Sequence, residues 1–120
     1  MASVEAASRE WESAAADFRK VLEERPEDSR AHQHLGEVLV LWGDALYKSG
    51  NGEDALARYR EALQFRPGDA VLHGKTGVAL ARLARLDEAQ AELEASLRID
   101  PKSEPAKQTL EVLKAMIKGK

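Results

Sequence analysis

The sequence predicts an all-α chain built from repeated pairs of antiparallel helices, and three observations carry that expectation. The chain is rich in Ala, Glu, Lys, Leu and Arg, and its 120 residues include only two Trp, two Tyr and two Phe. Such a mix favours helix over sheet, because these side chains lose little rotamer freedom in a helix. Apolar residues recur at three and four, as in Leu56, Tyr59 and Leu63, which is the spacing of one helix face. The third observation is that the chain repeats itself.

Gly43 to Pro67 laid over Gly77 to Pro101, a shift of 34 residues, brings Gly43/Gly77, Ala45/Ala79, Leu46/Leu80, Ala55/Ala89, Ala57/Ala91, Leu63/Leu97 and Pro67/Pro101 into coincidence. Upstream, Ala14 to Gly36 lies over Ala55 to Gly77 at a shift of 41, matching Ala14/Ala55, Phe18/Tyr59, Leu22/Leu63, Pro26/Pro67, Asp28/Asp69, His32/His73 and Gly36/Gly77. Each match has a physical reason. Gly43, Gly77, Ala55 and Ala89 let paired helices approach closely, and Phe18, Tyr59 and Leu93 fill the space left. Pro26, Pro67 and Pro101 stop the second helix of each pair. Asp28, Asp69 and Ser103 stand where a side-chain oxygen caps the next helix.

The elements follow in order within a single domain, residues 1–120. Residues 4–26 form a partial first repeat, with residues 4–25 one helix whose face is Trp11, Phe18 and Leu22. Residues 29–67 form an extended repeat. Its shift of 41 exceeds 34 by seven, two helical turns, which adds about 10 Å and slips the buried face by only about 20°. The spacing predicts a long helix from about Ala31 to Lys48, overhanging its shorter partners. Residues 69–101 form the next repeat, opening on the helix "AVLHGKTGVALARL". Residues 103–118 read as a C-terminal capping helix, with Ser103 and Pro105 as start signals and Leu110, Leu113 and Ile117 on one face. Lys107, Lys114, Lys118 and Lys120 suit the polar outer side a cap requires.

The period of 34, with Gly43, Leu46, Gly50, Ala55, Tyr59, Ala62 and Pro67 in one copy and Gly77, Leu80, Ala89, Leu93 and Pro101 in the next, resembles the tetratricopeptide repeat. The resemblance covers roughly residues 10 to 102, and departs at Ala84, which replaces the turn glycine, and at Ser96. It implies a right-handed α-solenoid and a non-catalytic protein–protein interaction module. A peptide or partner helix would lie in a concave groove lined by the first helix of each repeat. That face carries Gln33, Glu37, Val40, Asp44 and Tyr47, then Val71, Lys75, Val78 and Arg82. An alternative is a homo-oligomeric scaffold that self-associates through Trp11, Phe18 and the long helix. The co-chaperone subfamily that clamps the C-terminal carboxylate of Hsp70 or Hsp90 uses lysines, asparagines and an arginine. This chain has Val40, Asp44, Lys75, Pro105 and Thr109 at those positions, so the clamp is not expected.

Other functions are disfavoured. Gly74-Lys75-Thr76 ends like a phosphate-binding loop, yet five residues rather than four separate Gly68 from Gly74, and a helix precedes it instead of a strand. ATP binding is therefore a distant alternative. Without cysteine there is no disulfide, zinc–thiolate site or thiol nucleophile. His32 and His73 match between repeats and read as packing residues. His32 and His34, two apart, point to different helix faces, unlike metal-binding pairs. Glu53/Asp54 and Asp87/Glu88 fall at helix starts, where the dipole favours acids. No hydrolase motif, metal site or cofactor is expected. A net charge of −3 argues against nucleic acid. The acidic start "MASVEAASRE" does not read as a signal peptide, and the longest apolar run, Val38 to Trp42, is too short to span a bilayer. The expected location is cytoplasmic.

Overall fold

The computed structural model describes residues 4–119. Their regular structure is six α-helices: α1 (Val4–Glu24), α2 (Ser29–Lys48), α3 (Gly52–Phe65), α4 (Ala70–Arg82), α5 (Leu86–Ile99) and α6 (Glu104–Lys118). The outermost bounds of the expected 1–120 domain, and Lys120 among the capping lysines, lie outside the described residues. The helices gather into two compact units, Met1–Pro67 and Gly68–Lys120.

In the first unit, α1 and α3 both pack against α2. Asp28 caps α2, its carboxylate accepting from the Ala31 N–H at 3.0 Å. Ala31, Leu35, Leu39, Trp42 and Leu46 form the buried stripe of α2, facing Ala15 of α1 and Ala55, Leu56, Tyr59 and Ala62 of α3. Each fully buried leucine contributes about 1.5–3 kcal/mol relative to exposure. Gly43 is the point of closest approach. A Cβ there would stand 2.7 Å from Cε1 of Tyr59, so the tyrosine ring occupies the space the glycine leaves. α2 has 20 residues against 13 in α4. α1 matches it with 21, so only α3, with 14, is the shorter partner. Beyond the end of α3, the Phe65 ring lies 5.3 Å from that of His32. The Arg66 stem crosses Gly36, where a Cβ would meet its Nε at 2.9 Å. Gly36 thus admits an arginine side chain.

In the second unit, α5 packs against α4, and α6 against α5 and α4. Asp69 and Ser103 cap α4 and α6, accepting from the N–H groups of Leu72 (3.1 Å) and Ala106 (3.4 Å). Leu72, Thr76, Ala79 and Leu80 of α4 meet Leu86, Ala89, Leu93 and Ser96 of α5, and Ala106, Leu110 and Leu113 of α6 complete the core. Gly77 repeats the role of Gly43: a Cβ would stand 2.9 Å from Cγ of Leu93 and 3.2 Å from the Ala89 carbonyl oxygen. The turns inside the two hairpins also correspond. Asn51 N–H donates to Leu46 O and Arg85 N–H to Leu80 O, both at 2.9 Å. The residue before each has positive φ, Gly50 at 88° and Ala84 at 62°.

Candidate functional site

On α2, Gln33 and Glu37 are exposed, while Val40, Asp44 and Tyr47 are half-buried. The N-terminal end of this face is shared with Arg66. Its Nη2 donates to the Gln33 carbonyl at 3.2 Å and lies 3.6 Å from the Glu37 carboxylate. Further along, the Tyr59 hydroxyl donates to Oδ1 of Asp44 at 2.6 Å. Tyr59 is 2% exposed. Burial first, then the hydrogen bond to Asp44 and its charge, push the phenol pKa well above its ordinary value. The phenol is therefore neutral and a committed donor. Asp44 is held in place by the hairpin core as well as standing on the predicted face.

On α4, Val71 (68% exposed) and Arg82 are exposed, and Lys75 and Val78 half-buried. α4 carries Lys75 and Arg82 but neither Asp nor Glu. Gly74-Lys75-Thr76 lies inside this helix, and the buried Thr76 hydroxyl donates to Leu72 O at 2.8 Å. The stretch forms a helical turn, so it offers no loop of backbone N–H groups to a phosphate. Trp11 and Phe18 are half-buried. Phe18 stacks on His34, centroids 5.5 Å apart and planes at 21°, so much of its surface is already engaged. His32 packs as expected and accepts or donates at Pro26 O (2.7 Å). His73 differs: its Nδ1 meets Oε2 of Glu92 at 2.9 Å, joining α4 to α5 by a polar contact.

The sequence reading missed Leu41 on α2 and Val112 and Met116 on α6, which are 49%, 62% and 49% exposed. The shift of 34 was the available signal, since it relates Leu41 to Lys75 and relates Val112 and Met116 to Val78 and Arg82. Among the described residues no group of three His, Cys, Asp or Glu could hold a metal ion, and no helix is long and apolar enough to cross a membrane. An open depression of about 460 Å³ is lined by Ala84, Arg85, Leu86, Asp87, Glu88 and Ile117. Its Arg85 is paired with Glu88 at 3.2 Å.

Comparison with known proteins bears on the whole chain. The first tetratricopeptide domain of Spaghetti (RPAP3), bound to the HSP90 peptide SRMEEVD, is similar with a TM-score of 0.67 at 16% identity, over 90% of this chain and 80% of that one. The second such domain of human RPAP3, in complex with the HSP70 peptide SGPTIEEVD, gives 0.64 at 17%, over 89% and 98%. YrrB, a tetratricopeptide protein with an unusual peptide-binding site, gives 0.64 at 22%, over 93% and 72%. At these identities the likeness establishes the fold alone. No curated protein matches the chain. One family model for the tetratricopeptide repeat matches residues 1–41 and another residues 46–114. The second spans more than half of the sequence, with Gly77, Ala89 and Leu93 inside it, and the chain belongs to the tetratricopeptide repeat family.

Proposed function

We propose that this chain is a non-catalytic protein–protein interaction module that takes segments of a partner protein on the outward faces of α2 and α4. The observation that carries this reading is the make-up of those faces. Leu41 and Val71 stand exposed (49% and 68%) beside Glu37 on α2 and Lys75 and Arg82 on α4. Such a mixture suits an extended peptide or a helix that anchors apolar side chains and pairs charges. The similar RPAP3 domains hold short HSP peptides, which supports peptide binding in general. The HSP carboxylate itself is a poor ligand here, because Asp44 stands where the clamp presents a neutral or basic group, and Val40, Pro105 and Thr109 supply no charge.

Affinity capture from cell extract, comparing wild type with Tyr47→Ala and Lys75→Glu, tests the reading. Proteins retained by wild type and lost by either variant are expected. A retained set that both variants leave unchanged would sink it. Calorimetric titration with SRMEEVD is expected to give no binding above 100 μM protein. The rival reading, self-association through Trp11 and Phe18, is weakened by the Phe18–His34 stack. Light scattering over a hundredfold range of concentration is expected to return the monomer mass of 13.2 kDa, and a stable dimer would favour the rival.

A further inference from the structure

α4 and α6 belong to one unit, touch each other and both pack on α5. They also share a rotational phase. Their caps, Asp69 and Ser103, are 34 residues apart, and the buried Leu72, Thr76 and Ala79 recur as Ala106, Leu110 and Leu113. A residue of α6 therefore points as its counterpart 34 places earlier points on α4. Pro105 takes the direction of Val71, Val112 that of Val78, and Met116 that of Arg82. Val71, Val112 and Met116 are 68%, 62% and 49% exposed. A lone exposed apolar side chain needs no explanation. Three on equivalent faces of two touching helices form a pattern.

The charge on these helices has one dominant sign. α4 and α6 together hold Lys75, Arg82, Lys107, Lys114 and Lys118 against two acids, Glu104 and Glu111. Glu104 is paired with Lys107 at 3.6 Å, and Glu111 stands in the direction of Gly77, off the face that carries Val112. Glu92 of the neighbouring α5 is engaged by His73. A basic surface studded with exposed apolar side chains is complementary to a segment of opposite charge with apolar anchors of its own.

We propose that the α4/α6 face binds a partner segment combining acidic with apolar side chains, and that it recognises the side-chain carboxylates, with no requirement for a free chain terminus. The proposal deepens the protein-binding reading above and rests on it. It extends the site from α4 to Val112 and Met116 and gives the partner a sign of charge.

A random 12-residue peptide library displayed on phage, selected against the whole chain, supplies the probe. Enriched sequences are then made with amidated C-termini and measured by fluorescence anisotropy. Acidic peptides with interspersed Leu, Ile or Val are expected. Lys75→Glu with Arg82→Glu should weaken them at least tenfold, and Val112→Ser with Met116→Ser at least fivefold. Glu37→Lys on α2 should change little. Circular dichroism checks that the variants fold, and Lys75→Gln with Arg82→Gln gives the same direction if charge reversal unfolds the unit. Enriched peptides without an acidic bias, or acidic ones that bind the Gln and Glu variants as tightly as wild type, would overturn the proposal while leaving the wider reading standing. A selection that returns nothing, or only peptides indifferent to every change on α2, α4 and α6, would remove both.

Discussion

Between α2 and α3 the wedge is the Tyr59 ring, its hydroxyl on Asp44 at 2.6 Å; between α4 and α5 the corresponding wedge is Leu93, and Asp44 is replaced by Val78. Other pairs change in the same manner. Trp42, with the Arg58 guanidinium 4.6 Å above its ring, gives way to Thr76, whose hydroxyl bonds within its own helix. Ala62 gives way to Ser96, which donates to Ala70 O at 2.8 Å. The backbone frame is constant: a glycine at the closest approach, a left-handed residue in the turn, a proline after the second helix. The filling varies, and each polar group brought in comes with its partner, because an unpaired one costs about 1–3 kcal/mol. The two hairpins thus separate what the fold requires from what it tolerates.

The sharpest way to break the shared frame is Gly43→Ala or Gly77→Ala. With Tyr59 and Leu93 already inside contact distance of the added carbon, each is expected to lower unfolding free energy by about 2–3 kcal/mol, read from urea denaturation. An unchanged midpoint for Gly43→Ala would mean the tyrosine ring swings aside at no cost. The filling is tested next. Tyr59→Phe removes the donor to Asp44 and is expected to cost about 1.5 kcal/mol near neutral pH. The same variant carries a pH signature. The folded phenol holds its proton more tightly than the unfolded one, so its stabilising contribution is complete below about pH 10 and declines above it, by at most about 1.4 kcal/mol per pH unit. Wild type should lose more stability than Tyr59→Phe between pH 10 and 11, and equal losses would show that other groups govern the alkaline limb. The smallest effects belong to the turns. Ala84→Gly is expected to stabilise by about 1 kcal/mol, because alanine at φ 62° carries a left-handed penalty that glycine lacks. Gly50→Ala should destabilise by a similar amount.

The frame was legible because it is written in residue types with one backbone role. Asp28, Asp69 and Ser103 announced their helix starts. Gly43 and Gly77 announced the close contacts with Tyr59 and Leu93, and the seven-residue excess announced the long α2. What escaped was the meeting of side-chain tips. Periodicity identifies a face but not which rotamer crosses it, so the Arg66 stem over Gly36, the Phe18–His34 stack and the Glu92 partner of His73 could not be read. The predicted face on α2 suffered most, since Asp44 and Glu37 both meet groups arriving from α3 and its end. The face of α4, with fewer long neighbours, came closer to expectation. Val112 and Met116 were missed for a simpler reason: α6 was read for its buried side only.

Trp42 has a consequence for how this molecule reports on itself. It is 9% exposed, and its indole N–H meets no acceptor among the described residues. An indole shielded in this way emits at short wavelength and shifts to the red when water reaches it. The only other tryptophan is Trp11, in the same unit, so intrinsic fluorescence watches Met1–Pro67 and is blind to Gly68–Lys120. Ellipticity sums all six helices. Superimposed unfolding curves from the two signals would mark one cooperative transition, whereas a fluorescence change that runs ahead of or behind the ellipticity would mark two.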